Sequence, residues 1–395
     1  MLLAQLASPE AVRWSGLVQA DLTWADDSSD QLADATGRPL NQDAFVLRRG
    51  RLRAEGETRF TAWVAEADFN TVEGPQAGFR QVEGALRWAG AGALEGLGLR
   101  LAAGVFAIPF GHEVGGERDA ERLFTERSTA ADALFPGQLD VGARLEVAWE
   151  PARLIVAVQN GEPLGGSAFP GEDPNDSKDF TVRIDAVAPL GDRVRLAGGL
   201  SALTGTGFHA GTQPTKERIL WRDLNEDGIV QTSEITSLPP AAGTPSADFD
   251  RFGLGADFRV EIDLPVVGPL RIAAEGVLAT NLDRGLRPAD PVLIGRDQRA
   301  LGGALSLTQA LGPADVGVRY DTYAPELDRS EVRAGTTVRA AEHFDTLTVA
   351  AGLRIEAARL VVEYQLQDDT LGRDAEGNPA DLKNNALKAR LQVAF

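Results

Sequence analysis

Alternation with a period of two residues is the feature that most restricts what this chain can become. From Phe252 to Ile262, one face carries Phe252, Leu254, Ala256, Phe258, Val260 and Ile262, and the other Gly253, Gly255, Asp257, Arg259 and Glu261. Side chains of an extended strand point alternately to opposite faces, so the pattern predicts strand and argues against helix. The final segment repeats it, with Leu387, Ala389, Leu391, Val393 and Phe395 against Lys388, Arg390, Gln392 and Ala394. The same reading predicts sixteen strands, at about 12–24, 43–54, 58–69, 80–89, 96–106, 140–149, 152–160, 179–188, 193–203, 250–262, 268–280, 297–308, 314–323, 344–355, 358–367 and 385–395.

Alternation alone also suits a soluble sandwich. The connections separate the two. Links after even-numbered strands are tight, such as Glu150-Pro151, Leu190-Gly191-Asp192 and Glu356-Ala357, whereas those after odd-numbered strands are mostly long and polar: 25–42, 107–139, 161–178, 204–249, 281–296, 324–343 and 368–384. One rim of short turns and one of long loops is the pattern of a transmembrane antiparallel β-barrel, with short periplasmic turns and long extracellular loops. An even strand number returns both termini to the short-turn rim, and closure removes exposed sheet edges. The expected organisation is a lead over 1–10 followed by a single outer-membrane barrel domain over 11–395.

Composition agrees. No run of eighteen apolar residues exists, so no helix of spanning length is expected, while a barrel needs only alternating strands of about ten residues. The absence of cysteine excludes thiolate chemistry, and three scattered histidines, His112, His209 and His343, make a clustered hydrolase site at the rim a poor competitor. The net charge of -19 argues against a nucleic-acid partner. The N-terminal MLLAQLASPEAVRW lacks a basic n-region and an apolar run, so an exported chain is expected to have lost its signal peptide before this point.

With apolar residues turned to lipid, the opposite faces line a lumen. They carry Arg87, Arg100, Arg144, Arg183, Arg195, Arg259, Arg271, Arg319, Arg354 and Arg390 with Glu83, Glu146, Asp185, Asp257, Glu261, Glu275, Asp321 and Glu363, which a wide aqueous channel can solvate. Trp14, Trp24, Trp63, Trp88, Trp149, Tyr320, Tyr323 and Tyr364 fall near strand ends, where interfacial aromatic girdles are expected, with ordinary core aromatics as the alternative.

The third long connection is unusual. It reads GVFAIPFGHEVGGERDAERLFTERSTAADALFPGQLDVG from Gly104 to Gly142 and is rich in Gly, Pro and charge. We expect its core, 109–139, to fold into the lumen and narrow it. Gly104, Phe106, Pro109, Phe110, Gly111 and Glu113, then Glu126-Arg127-Ser128, then Phe135-Pro136-Gly137 and Gly142, resemble in order and spacing the corresponding segment of the phosphate-selective porin O and P family. Phe45-Val-Leu-Arg-Arg-Gly-Arg-Leu resembles that family's double-arginine strand, Glu66-Ala-Asp-Phe69 its Asp-Phe strand end, and Gln159-Asn-Gly161 its Asn-Gly turn. Phe395 resembles the terminal aromatic by which assembly machinery recognises such barrels. The resemblance implies a homotrimer in outer-membrane lipid and lipopolysaccharide, passing small ions or solutes, inorganic anions such as phosphate among them. The family's lysines near the constriction are missing: the chain has only Lys178, Lys216, Lys383 and Lys388.

Candidate lumen and constriction residues are Arg48, Arg49, Arg51, Arg53, Glu113, Glu126, Arg127 and Arg144. Arg49, Arg51 and Arg53 alternate along the second strand with Arg48 near the outer rim, a basic ladder facing an acidic loop. Such a ladder either sets a transverse field that orients polar solutes or pairs locally with carboxylates.

The longest insertion, within 204–249, contains DLNEDGIVQTSE. Asp223, Asn225 and Asp227 occupy positions 1, 3 and 5 of a calcium loop, Gly228 the sharp turn, Ile229 a carbonyl position, Gln231 the ninth position and Glu234 the bidentate twelfth. Oxygen donors at this spacing suit bound Ca2+, while a solvated acidic loop is the plainer alternative. Lys216–Trp221 is expected as a short entering helix. Two functions follow: a passive, non-enzymatic diffusion channel for small hydrophilic solutes, or a calcium-binding surface or adhesive protein whose pore is incidental.

Overall fold

The structure is a computed structural model that describes residues 12–26, 43–72, 74–164, 173–223, 228–333, 336–339, 342–370, 372–373, 379–382 and 384–395. The expected lead, 1–10, lies outside them. Sixteen strands close into one antiparallel barrel. They are β1 (Arg13–Ala25), β2 (Ala44–Glu57), β3 (Thr61–Asn70), β4 (Gln76–Ala89), β5 (Leu97–Ala107), β6 (Leu139–Trp149), β7 (Ala152–Gln159), β8 (Asp179–Leu190), β9 (Val194–His209), β10 (Ala247–Leu264), β11 (Gly268–Thr280), β12 (Arg299–Leu311), β13 (Ala314–Ala324), β14 (Phe344–Ile355), β15 (Ala358–Asp369) and β16 (Ala386–Ala394). Each pairs with the next, and β16 returns to β1 with Leu17 opposite Ala394 and Thr23 opposite Lys388. The ring is sealed at the chain's end by Gly16 N donating to Phe395 O at 2.7 Å and Phe395 N donating to Gly16 O at 3.0 Å.

The predicted strands are all present, several of them longer. β10 extends through both predicted ends. β3 begins at Thr61, with Trp63 turned out and Glu66 turned in, and a register shift at Glu66/Ala67 lies just beyond them. The faces follow the alternation. Leu254, Phe258, Leu305 and Val349 are about half exposed on the outside, whereas Asp257, Arg183, Arg319 and Glu363 are buried inside. This inverts a water-soluble barrel, because a continuous outward apolar surface is stable only in apolar surroundings.

Short turns link β7 to β6 and β15 to β14 on one rim, and the long loops occupy the other. Three small hairpins decorate the long loops, Arg218–Trp221 with Ile235–Leu238, Ser330–Arg333 with Thr336–Arg339, and Gly372–Arg373 with Pro379–Ala380. Strands of four residues or fewer are too short to show a period. The expected helix over Lys216–Trp221 is therefore corrected: Arg218–Trp221 is a strand, because Ile235–Leu238 offers it a partner edge.

The expected girdle is corrected in part. Trp14, Trp24, Trp88 and Trp149 are exposed near strand ends and Tyr320 and Tyr364 are exposed in mid-strand, but Tyr323 is fully buried inside the barrel.

Candidate functional site

The loop between β5 and β6, 108–138, turns into the barrel. Pro109 cannot continue the strand ladder. Gly111 follows with φ +63°, and a Cβ there would stand 1.9 Å from Glu275 Oε1, so a close approach to β11 depends on glycine. Helix α1 (Gly111–Gly115) starts against that carboxylate, whose Oε2 accepts from His112 N at 2.9 Å and Glu113 N at 3.0 Å. Helix α2 (Thr129–Leu134) is capped by Ser128. Glu113 joins the two helices, accepting from Ser128 N at 3.0 Å and from the Ser128 hydroxyl. Arg127 holds the loop to itself, donating to Phe135 O at 3.0 Å and pairing with Asp132 at 2.6 Å. Glu113 and Arg127 thus serve the loop's own fold.

One side of the loop is seated by apolar packing. Ile108, Phe110, Val114, Leu134 and Phe135 form a buried cluster with Leu203, Val277, Leu282, Tyr323 and Phe344 of the wall and its loops. Full burial of each large side chain contributes about 1.5–3 kcal/mol. The wall makes room with glycine: a Cβ on Gly255 would lie 2.7 Å from Phe110 Cε1, and one on Gly302 would lie 2.5 Å from Ala130 Cβ. The charged inward faces expected from the alternation are therefore not the whole lining: across β9 to β14 the inward face is partly an apolar seam.

The other side is held by charge. Glu126 receives Arg48 Nε at 2.7 Å, Arg49 Nη2 at 2.9 Å and Arg390 Nη2 at 3.0 Å. Asp119 pairs with Arg51, with Arg80 at 3.3 Å, with Arg122 at 3.4 Å and with Arg49 at 3.7 Å. Burial would raise the pKa of both carboxyls, but Arg49 with Arg51 at Asp119, and Arg49 with Arg48 at Glu126, hold them well below the usual carboxylate range. Backbone contacts complete the clamp. Arg319 Nη1 donates to Glu126 O at 2.7 Å, Arg359 Nη1 to Arg122 O at 2.7 Å and Gln392 Nε2 to Ala120 O at 2.9 Å, while Thr125 N donates to Glu363 at 2.8 Å.

Of the two arrangements open to the ladder, local pairing is the one observed. Arg48, Arg49 and Arg51 meet the carboxylates of the inward loop, and Arg53 pairs with Glu66 at 3.2 Å and with Glu55 at 3.0 Å. Arg144 pairs with Glu83 at 3.1 Å and Glu146 at 2.9 Å, and its guanidinium lies 4.8 Å from the Phe106 ring centroid. Open space remains on the turn side of the loop. A cavity of about 900 Å³ lies against β5 to β9, reaching Arg153, Arg183 and Arg195, and one of about 600 Å³ lies against β2 to β6, reaching Arg53, Arg87 and Arg100.

The structure also buries Tyr323, whose hydroxyl donates to Asp283 Oδ2 at 2.7 Å beneath the long-loop rim. Parity could have revealed this residue, because Asp315, Arg319, Asp321 and Tyr323 share one face of β13.

In the calcium-like loop, Gly228 has φ +74° and donates its N–H to Asp223 Oδ2 at 2.7 Å. Glu234 is buried, and its Oε2 accepts from Gln231 N at 3.1 Å and Trp221 Nε1 at 3.3 Å; Ile229 is exposed. Asn225 and Asp227 lie outside the described residues.

No protein-family model matches the chain, and no curated protein matches it in sequence. Solved structures do match over almost the full length. The outer membrane channel DcaP of Acinetobacter baumannii superposes with a TM-score of 0.58 at 12% identity, covering 99% of each chain. OmpT, an outer membrane protein of Vibrio cholerae in trimer form, gives 0.55 at 11% identity over 98% of this chain and 99% of that one. An anion-selective porin from Comamonas acidovorans gives 0.54 at 11% identity over 98% and 99%. What the chain shares with them is the fold, a closed sixteen-stranded antiparallel barrel of the outer-membrane porin kind.

Proposed function

We propose that the chain is an integral outer-membrane channel through which small hydrophilic solutes and ions diffuse passively. The observation that carries this reading is the inward loop, which is fastened across the lumen and leaves water-sized space beside it. An anchor or adhesin has no use for a lumen narrowed in this way. The barrel neighbours support the reading by fold, and the one described in trimer form is consistent with assembly as a homotrimer, which we propose here together with a setting of outer-membrane lipid and lipopolysaccharide. Phosphate selectivity has less behind it. Its motifs are present, but the ladder arginines already hold carboxylates of the chain itself, so a phosphate would have to displace them. Planar-bilayer recording tests the function: folded, heat-modifiable protein is expected to give stable unitary steps, and their absence would overturn it.

For the 223–234 loop we propose a bound Ca2+ that stiffens the hairpin. The contact of Asp223 Oδ2 with Gly228 N, between the first and sixth positions of the loop, supports this. Calorimetry of the purified barrel should show calcium binding that Asp227→Ala abolishes; no heat in the wild type would remove the proposal.

A further inference from the structure

A second loop reaches into the barrel beside the first. The link between β11 and β12, 281–298, leaves the long-loop rim, and Asn281 turns it with φ +53°. Its two ends are tied, Asn281 N donating to Gln298 O at 2.8 Å and Gln298 N to Asn281 Oδ1 at 2.8 Å. Leu282 and Asp283 are buried. Asp283 Oδ1 folds the next residues back, accepting from Gly285 N at 3.1 Å and from Leu286 N and Arg287 N at 3.0 Å. That turn sits on α2: Arg284 N and Gly285 N both donate to Ala133 O, at 3.0 and 2.8 Å. A Cβ on Gly285 would stand 2.7 Å from Asp132 O, so the approach needs glycine. The segment is a strap on the long-loop side of the inward loop.

Two arginines carry the strap to the walls on either side of its root. Arg287 Nε donates to Glu342 Oε2 at 2.9 Å, beside β14. Arg284 Nη2 reaches the opposite way, to Gly161 O at 3.0 Å and Asp179 Oδ2 at 3.1 Å, where β7 ends and β8 begins. These latches are weaker than the clamp on the 117–127 arm, where each carboxylate meets three or more guanidiniums and the backbone is bound as well. At the strap, Asp179 serves two guanidiniums, because its Oδ1 also accepts from Arg251 Nε at 3.1 Å. The Arg284 side chain is 8% exposed, yet its Nε and Nη1 have no hydrogen-bond partner among the described residues. Such a guanidinium is costly to keep buried, since water would satisfy both groups on release. Arg287 is about half exposed, where an ion pair contributes little. The far end stays tethered by His209 Nδ1 and Asp290 Oδ2 at 2.6 Å, so release at Arg284 swings the 284–287 turn about a fixed root.

From this we infer that 281–298 is a gate at the long-loop end of the lumen, closed when Arg284 reaches Asp179 and opened when that contact is given up. The gate rests on the channel reading and adds a moving part to it. The inward loop is a fixed constriction held by well-paired charge, and the strap is a second closure carried on its α2 side. Opening leaves the charge clamp intact, uncovers Ala133 O and widens the passage beside the outer ends of β7 and β8.

Because the chain has no cysteine, the latch can be exchanged for a reversible covalent one. In Asp179→Cys/Arg284→Cys the contact is missing. A propane-1,3-diyl bis-thiosulfonate, comparable in length to the side chains removed, restores it, and dithiothreitol cuts it again. In planar bilayers the reduced variant is expected to give unitary steps about 1.5-fold or more above wild type, and bridging should return the same barrels to the wild-type step. Gly285→Val leaves both latch residues in place but pushes the turn off α2, and should give the same larger step. Equal steps from bridged and reduced barrels would overturn the gate. So would a bridge that fails to form in folded, heat-modifiable barrels, as read by mass, because the two residues would then not meet. A wild-type step from Gly285→Val has the same consequence, and it decides alone if the dicysteine chain does not fold. Absence of steps from the wild type counts instead against the channel reading.

Discussion

Charge holds one arm of the inward loop and packing the other, so the two should separate on neutralising Asp119 and Glu126. Asp119→Asn and Glu126→Gln keep shape and remove charge. The Asp119 side chain is 4% exposed and that of Glu126 20%, and each is bound to three or more arginines. Removing one partner of a buried ion pair costs about 3–5 kcal/mol, and the more open Glu126 belongs at the lower end. Arg49 bridges both carboxylates, at 3.7 Å and 2.9 Å. Either single change leaves it a carboxylate and the double change leaves it only the neutral Gln19 Oε1, at 3.0 Å, so the double variant should lose more than the sum of the singles. A loss of about 3 kcal/mol raises the undocked population of the 117–127 arm roughly 150-fold. The α1–α2 side, seated by Phe110, Leu134 and Phe135, should stay in place. Single-channel recording should then show a higher, flickering conductance while the melting temperature of the strands, followed by circular dichroism, moves little. A folded double variant with wild-type step size and noise would refute the assignment of the clamp.

Further outcomes follow from the same geometry. Gly302→Val places a Cβ 2.5 Å from Ala130 Cβ and 2.8 Å from Tyr323 Cδ2, so it should unseat α2 and alter conductance without opening the charge clamp. Tyr323→Phe removes the donor to Asp283 and should cost about 1–3 kcal/mol in thermal unfolding. Burial, then the Arg259 charge, lowers the His112 pKa from 6.5 to about 4. The unfolded chain takes up that proton first, so stability should decline as pH falls from 6.5 to about 4, and His112→Gln should flatten the decline in melting temperature. The carboxylates of Asp119 and Glu126 have depressed pKa values. Their contribution is present above the ordinary carboxylate range and lost only as pH falls through the lower folded values, so the clamp should survive at pH 4, as conductance at that pH would report.

Much of this molecule is legible from the order of its residues. Period two places Asp257 and Arg259 on one face and Phe258 and Val260 on the other, and alternating link lengths set a turn rim against a loop rim, because both are local properties of extended chain. The irregular stretch after the fifth strand announces itself by its Pro109-Phe110-Gly111 break. The partnerships were decided by closure of the barrel. Arg390 reaches Glu126 across 264 residues and Glu275 receives His112 N across 163, distances at which a period carries no information. Parity puts Arg49 and Tyr323 inside but does not say what they meet there. Only the folded ring brings the second strand opposite the acidic arm, turning a basic ladder into a clasp, and brings α2 onto the apolar seam of β11 to β13.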